Sequence, residues 1–338
     1  MRRAHALPDD ELRQRGRRAG MAMPRWLVPL VGLALLTAVA WLIADRARKI
    51  DWADVWQMLR GYPPATLAAA LALAFATHAC YASYDLLARR HLRHHAPTFT
   101  VLGIGMVSFA VNLNLGWLVG GIGLRWRLYS KLGLSAGQIG RIFTFGIFTN
   151  WLGYLCVAGT LLATRAFGLP PPLDVSPALQ QLLGVALLAV PASYVAWCAR
   201  ARLRTVRWRS HGFELPATWV AVTQLALASA QWMLMGSVAW TLMPSQLHYA
   251  TVLGTLLSAS VVGATVHVPG GLGVIEAVFV TALAGRAPEG ALVASVLAYR
   301  AVFYLLPLAG AIAMHFALER QTRRGSVGTV GEKASSES

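Results

Sequence analysis

Two short segments carry charge inside otherwise apolar sequence. Arg125, Arg127 and Tyr129 follow the glycine string Gly120-Gly121-Ile122-Gly123. Glu276 follows Gly270-Gly271-Leu272-Gly273, and Arg300 stands in the next apolar run, ahead of Pro307. Guanidinium forks match phosphate oxygens two at a time, so Arg125 and Arg127, converging with Tyr129, read as a seat for a phosphate-bearing group. The competing reading is a loop whose arginines snorkel to lipid head groups. A carboxylate at Glu276 needs a cation, and Arg300 is the obvious one, either as a structural pair or as a proton- or substrate-coupled site. The substrate-binding candidates are therefore Arg125, Arg127, Tyr129, Glu276 and Arg300.

Other reactive side chains argue for less. An imidazole such as His267 can serve as a titrating group near neutrality, but a hydrogen-bonded structural histidine is the simpler reading. His91, His94 and His95 lie among Arg89, Arg90 and Arg93 with no carboxylate beside them, which suits a solvated surface better than a metal site. Cys80, Cys156 and Cys198 are too scattered for a metal motif or a disulfide framework. No nucleophile elbow, phosphate-binding loop or zinc-protease helix occurs. A catalytic residue, a metal and a cofactor are not expected, and the chain reads as a non-enzyme.

The elements that must position these residues are set by composition. Hydrophobic residues make up 56% of the 338 and charged residues 13%, too little polar surface for a water-soluble globule of this length. The expected fold class is all-α: a polytopic membrane bundle with about six full spans plus two glycine-broken hairpins. Apolar runs cover residues 26 to 44, 65 to 88, 99 to 119, 139 to 163, 178 to 199, 216 to 243, 250 to 268 and 291 to 316, most of them near the roughly 20 residues a spanning helix needs. Backbone freed by a break has no water to bond in hydrocarbon, so it persists only under protein cover or along a wet cavity. Gly120, Gly121, Gly123, Pro269, Gly270, Gly271, Gly273 and Pro307 are the expected break positions. Asn112 and Asn114 are placed to satisfy backbone freed near the first of them.

The net charge of +16 is concentrated in tails and loops, which a membrane surface explains better than nucleic acid, for no folded basic domain is available to grip a duplex. Applying the positive-inside rule puts both termini in the cytoplasm if residues 99 to 134 and 250 to 286 are hairpins entering from opposite faces, with tips at Gly120-Gly121 and Pro269-Gly270-Gly271. Such an arrangement is an inverted repeat. The expected layout is a basic cytoplasmic tail over residues 1 to 25, one transmembrane domain over 26 to 318 and a disordered tail over 319 to 338. Residues 50 to 59, with Trp52, Val55, Trp56 and Leu59 at helical spacing, read as an amphipathic interfacial helix.

The strings at residues 120 to 135 (GGIGLRWRLYSKLGLS), 268 to 277 (VPGGLGVIEA) and 298 to 307 (AYRAVFYLLP) resemble the transmembrane, flippase-like domain of lysylphosphatidylglycerol synthases and their stand-alone bacterial relatives. The likeness covers about residues 25 to 320, and the family's Ile-Asp-Trp segment corresponds to Ile50-Asp51-Trp52. The resemblance implies an inner-membrane protein that handles lipid and places Arg125, Arg127, Glu276 and Arg300 on the family's charged motif positions. Only a short polar tail follows Leu318, so the soluble aminoacyl-transfer domain of the synthases is not expected. The reading is a lipid transporter or flippase whose partners are membrane phospholipids or other polar lipids. Its alternatives are an accessory protein of phospholipid or hopanoid biosynthesis, partnered by the enzymes of that pathway, and a membrane-embedded enzyme with Glu276 as general base.

Overall fold

The computed structural model describes residues 52–168, 175–201, 205–208, 211–266, 271 and 273–315. The apolar run at 26 to 44, both tails, and His267, Pro269 and Gly270 lie outside them. Helix α1 (Trp52–Gly61) realises the helical spacing at the start of the described chain, with Arg60 over the Trp56 ring. A tight turn leads to α2 (Pro64–Leu92), whose proline sits in the first turn, where its missing N–H costs no helical bond. Next come α3 (Thr98–Leu115), a π-helical segment (Trp117–Gly123), α4 (Leu124–Lys131) and α5 (Ala136–Ala163). A reciprocal Ser135 and Gln138 capping box opens α5. Helix α6 (Pro177–Arg200) is capped by Ser176.

An antiparallel hairpin, β1 (Thr205–Trp208) and β2 (His211–Glu214), occupies the arginine-rich connection and pairs Thr205 with Glu214. The remainder is α7 (Thr218–Leu242), α8 (Tyr249–Val266), α9 (Val274–Ala282), α10 (Glu289–Arg300), a second π-helical segment (Ala301–Leu305) and a final helical stretch, α11 (306–315). Among the described residues six helical stretches are long and apolar enough to cross a bilayer, the last running Glu289–His315. The all-α membrane class stands, with a short two-stranded hairpin in the connection between α6 and α7.

These helices are apolar around most of their circumference, which suits a protein whose outer solvent is lipid. Phe75 is 67% exposed and Leu182 is 64% exposed, positions that water would penalise and acyl chains would not. The helices meet through small residues. A Cβ on Gly153 would lie 2.3 Å from the Ala228 Cβ, and one on Gly184 would lie 2.3 Å from the Ala163 backbone nitrogen, so α5 packs directly on α7 and α6. Close backbone approach of this kind holds helices together where no hydrophobic drive between them exists. Polar side chains add cross-links: Gln224 donates to Thr149 at 2.7 Å and accepts from Tyr194 at 2.6 Å, and Tyr84 donates to Gln231 at 3.2 Å.

The first broken hairpin differs from expectation in where it turns. The reversal is at Gly116, whose φ of 85° is open to glycine and strained for other residues, and not at Gly120-Gly121. Gly120 lies in the returning arm, so close to α3 that a Cβ there would sit 2.0 Å from the Asn112 nitrogen. The glycine pair is thus spent on close approach of two arms, while a single upstream glycine supplies the turn. In the second broken region α8 and α9 pack against one another, and Gly271 and Gly273 adopt φ of 56° and 77° just ahead of α9.

Candidate functional site: two ion pairs at the helix breaks

The first charged cluster forms between α2 and α4. Arg125 and Tyr129 are four residues apart on α4 and share one face, which is buried. Asp85 of α2, 1% exposed, receives both: Nε of Arg125 donates to Oδ2 at 3.1 Å, Nη2 to Oδ1 at 3.1 Å, and the Tyr129 hydroxyl donates to Oδ2 at 3.0 Å. The remaining guanidinium nitrogen, Nη1, donates to the carbonyl of Gly121 at 3.0 Å, and the Tyr81 ring lies 5.7 Å from the guanidinium carbon. Arg127 does not join them. Two residues on from Arg125 the helix has turned it to the exposed face, so the expected convergence of Arg125, Arg127 and Tyr129 splits into a buried pair and an outward arginine.

Asp85 was missed by the sequence reading. Its signal was present, since a lone carboxylate in the apolar run of residues 65 to 88 carries the same demand for a cation that singled out Glu276.

At the second break Glu276 and Arg300 do meet. Nε of Arg300 donates to Glu276 Oε1, Nη2 donates to Oε2 at 2.9 Å, and Nη2 also reaches the carbonyl of Gly271 at 2.6 Å. Glu276 occupies the first turn of α9, where the positive end of the helix dipole also favours a carboxylate. This pair is less enclosed than the first, with side-chain exposures of 21% for Glu276 and 9% for Arg300. The two clusters share a plan with the charges exchanged. At the first break the arginine follows the glycines and the carboxylate comes from another helix; at the second the carboxylate follows the glycines and the arginine comes from another helix. In both, the arginine also holds the carbonyl of the second glycine of its string.

A row of rings joins the clusters. Tyr81, beside Arg125, stacks on Phe109 at 3.9 Å between centroids. His78 lies 4.9 Å from Phe109 and 5.2 Å from Phe303, Phe303 lies 5.7 Å from Tyr304, and Tyr304 sits 5.5 Å from the Arg300 guanidinium. The C-terminal end of this row lies in the second π-helical segment, just before Pro307, whose ring nitrogen has no hydrogen to give the preceding turn. Asn114 answers a nearby need: its amide donates to the carbonyl of Tyr304 at 3.1 Å as well as to Ala110 at 2.8 Å. It therefore serves backbone in the second half as well as in the helix that leads to the first break. Asn112 does lie at the first break, with its side-chain oxygen 3.4 Å from where a Cβ of Gly121 would be, and Gly123 is pressed against the Leu118 carbonyl.

The histidines at the end of α2 point to separate neighbours. His91 stacks on Phe145, while His94 is buried with its ring edge toward Tyr129, a correction to the solvated surface expected for it. Among the described residues no three metal-ligating side chains gather.

A bundle of lipid-facing helices in which two glycine breaks are each held by a carboxylate and guanidinium pair defines a polytopic membrane protein with paired charges inside its bundle. The chain belongs to the family described as the lysylphosphatidylglycerol synthase TM region, whose pattern it matches over residues 29–311. It is similar to inner membrane protein YbhN of Escherichia coli, 38% identical over 304 residues that cover 89% of this chain and 96% of that relative. It is also similar to the uncharacterized protein slr0712 of Synechocystis sp., 28% identical over 316 residues, with 89% and 96% of the two chains covered.

Proposed function

We propose that this protein is a lipid transporter of the bacterial inner membrane, moving a polar or phosphate-bearing lipid between leaflets, with both termini in the cytoplasm. The observation that carries this reading is the matched pair of ion pairs, each tied to the carbonyl of a break glycine and linked to the other by the ring row. In apolar surroundings a guanidinium leaves its carboxylate only for another anion of matching geometry, or when the carboxylate takes up a proton. A phosphate drawn to Arg300 would displace Glu276 and loosen the hold on Gly271, so that head-group binding and movement of the break become one event. The partial exposure of the Glu276 and Arg300 pair makes it the first contact, and the sealed Asp85 and Arg125 pair the one that opens second. Alternation of two such elements, related as halves of an inverted repeat, is how many secondary carriers expose a midplane site to each side.

The test is leaflet-resolved movement of labelled phospholipids in liposomes that hold the purified protein, comparing wild type with Glu276→Gln and Arg300→Ala. Movement that depends on the protein and is lost in both variants supports the reading. Folded wild-type protein that moves no member of a broad lipid panel would refute it in favour of an accessory role in lipid biosynthesis.

A further inference from the structure

One end of the bundle carries charge that the two ion pairs do not use. Between Asp85 and Asp174 the chain has no carboxylate, while Arg89, Arg90, Arg93 and Arg141 all fall in that stretch. Helix α2 ends in a left-handed turn at Arg93, where the N–H of His94 returns to the carbonyl of Arg89, so the first three arginines gather on one terminal turn. Helix α5 lies beside them: His91 stacks on Phe145, one helical turn along α5 from Arg141. The two helix ends share a core in which Ala88, Ala96, Ile139 and Ile142 are buried.

Arg90, Arg93 and Arg141 are exposed, and among the described residues none of them makes an ion pair. Arg89 is half-buried. Its Nη1 donates to the carbonyl of Ala96 at 2.8 Å and to the Thr98 hydroxyl at 3.0 Å, which fixes it at the first turn of α3. The residue after Thr98 is Phe99, 88% exposed. Ends of spanning helices lie at head-group level, and the positive-inside rule assigns this end to the cytoplasm. An exposed ring beside fixed guanidinium groups there meets acyl chain and phosphate together.

From the unpaired arginines and the adjoining ring, we infer that this end of the bundle binds an anionic phospholipid of the surrounding leaflet. Its phosphate is held by Arg90, Arg93 and Arg141, with Arg89 behind them, and its chains lie along Phe99. Guanidinium forks take phosphate oxygens two at a time. A head group that also carries an ammonium finds no carboxylate to receive it, since Asp85 is 1% exposed and already committed to Arg125. The site therefore selects phosphate without amine. It is separate from both glycine breaks, so it stands or falls independently of whether the protein moves phospholipid.

The probe is phosphatidylmethanol, one phosphodiester with no amine, compared with phosphatidylethanolamine, which adds an ammonium to the same phosphate. Each is titrated into full-length protein in a neutral detergent, and bound lipid is counted by native mass spectrometry. A basic residue at a membrane surface strengthens anionic binding about fivefold. Wild-type protein is expected to favour phosphatidylmethanol at least about fivefold. Arg90→Gln, Arg93→Gln and Arg141→Gln should each weaken its binding by about that factor, and together should abolish the preference. Lysine at the same three positions should keep most of it. The control is Arg60→Gln, Arg165→Gln and Arg286→Gln combined, which removes the same charge from exposed positions at the opposite end of the bundle and should leave binding unchanged. Equal binding of the two lipids by wild type, or an equal loss in the control, would overturn the inference. So would a folded triple variant, with the melting temperature of wild type, that still prefers phosphatidylmethanol.

Discussion

Removing the carboxylate at Asp85 exposes how much the first break depends on its ion pair. Arg125 makes three hydrogen bonds, two to Asp85 and one to Gly121, and both charged side chains are at most 2% exposed. Asp85→Asn keeps the shape and one accepting oxygen but leaves the guanidinium charge uncompensated, and breaking a buried pair from one side costs about 3–5 kcal/mol. Tyr129 loses an ionised acceptor at the same time, which adds about 1 kcal/mol. The expected outcome is a fall in melting temperature on the order of 10 °C for purified protein in detergent. Arg127→Gln, on the exposed face of the same helix, should cost below about 1 kcal/mol. A double variant, Asp85→Leu with Arg125→Leu, should be less destabilised than the sum of its single changes, because it leaves no lone charge behind. The measurement is a thermal unfolding series on these three variants, the two single leucine changes and the wild type. Strict additivity in the double variant, or an Asp85→Asn protein as stable as Arg127→Gln, would refute the argument that this pair clamps the break.

Two further outcomes test the hairpin and the end of α2. Gly120→Ala should prevent the hairpin from closing, since its Cβ would lie 2.0 Å from backbone that has nowhere to move, whereas Gly140→Ala in α5, with open space around it, should be neutral or stabilising by up to about 1 kcal/mol; cysteine cross-linking between the hairpin arms in each variant distinguishes the two. Burial, followed by the charge of Arg89, pushes the imidazole of His94 below its ordinary range. The unfolded chain therefore takes up a proton first as pH falls through about 6.5, so stability is full above that value and declines below it. His94→Leu should flatten the decline, as read by unfolding midpoints across that range.

Much of the architecture was legible because it follows from short-range rules. The spans from residue 65 onward, the helix at 52 to 61, and the demand of Glu276 for Arg300 all rest on local hydropathy, helical spacing or the cost of a charge in hydrocarbon. The same cost would have pointed to Asp85 had it been applied to every carboxylate in an apolar run. The turn at Gly116 was harder to see. A single glycine with positive φ looks in sequence like any of the 31 glycines, while the showier Gly120-Gly121 pair is used for close approach.

Sequence by itself determined that this chain is a helical membrane protein of its family, and that its intramembrane charges must find partners. Those are statements about free energy per residue and per segment, which need no knowledge of neighbours. Only the tertiary structure decided that Arg125 belongs to Asp85, forty residues away on another helix, that Arg127 faces outward, and that rings from three separate elements line up between the two arginines. Pairing of that kind is set by how helices rotate and cross when small residues let their backbones touch, and nothing local to either partner encodes it.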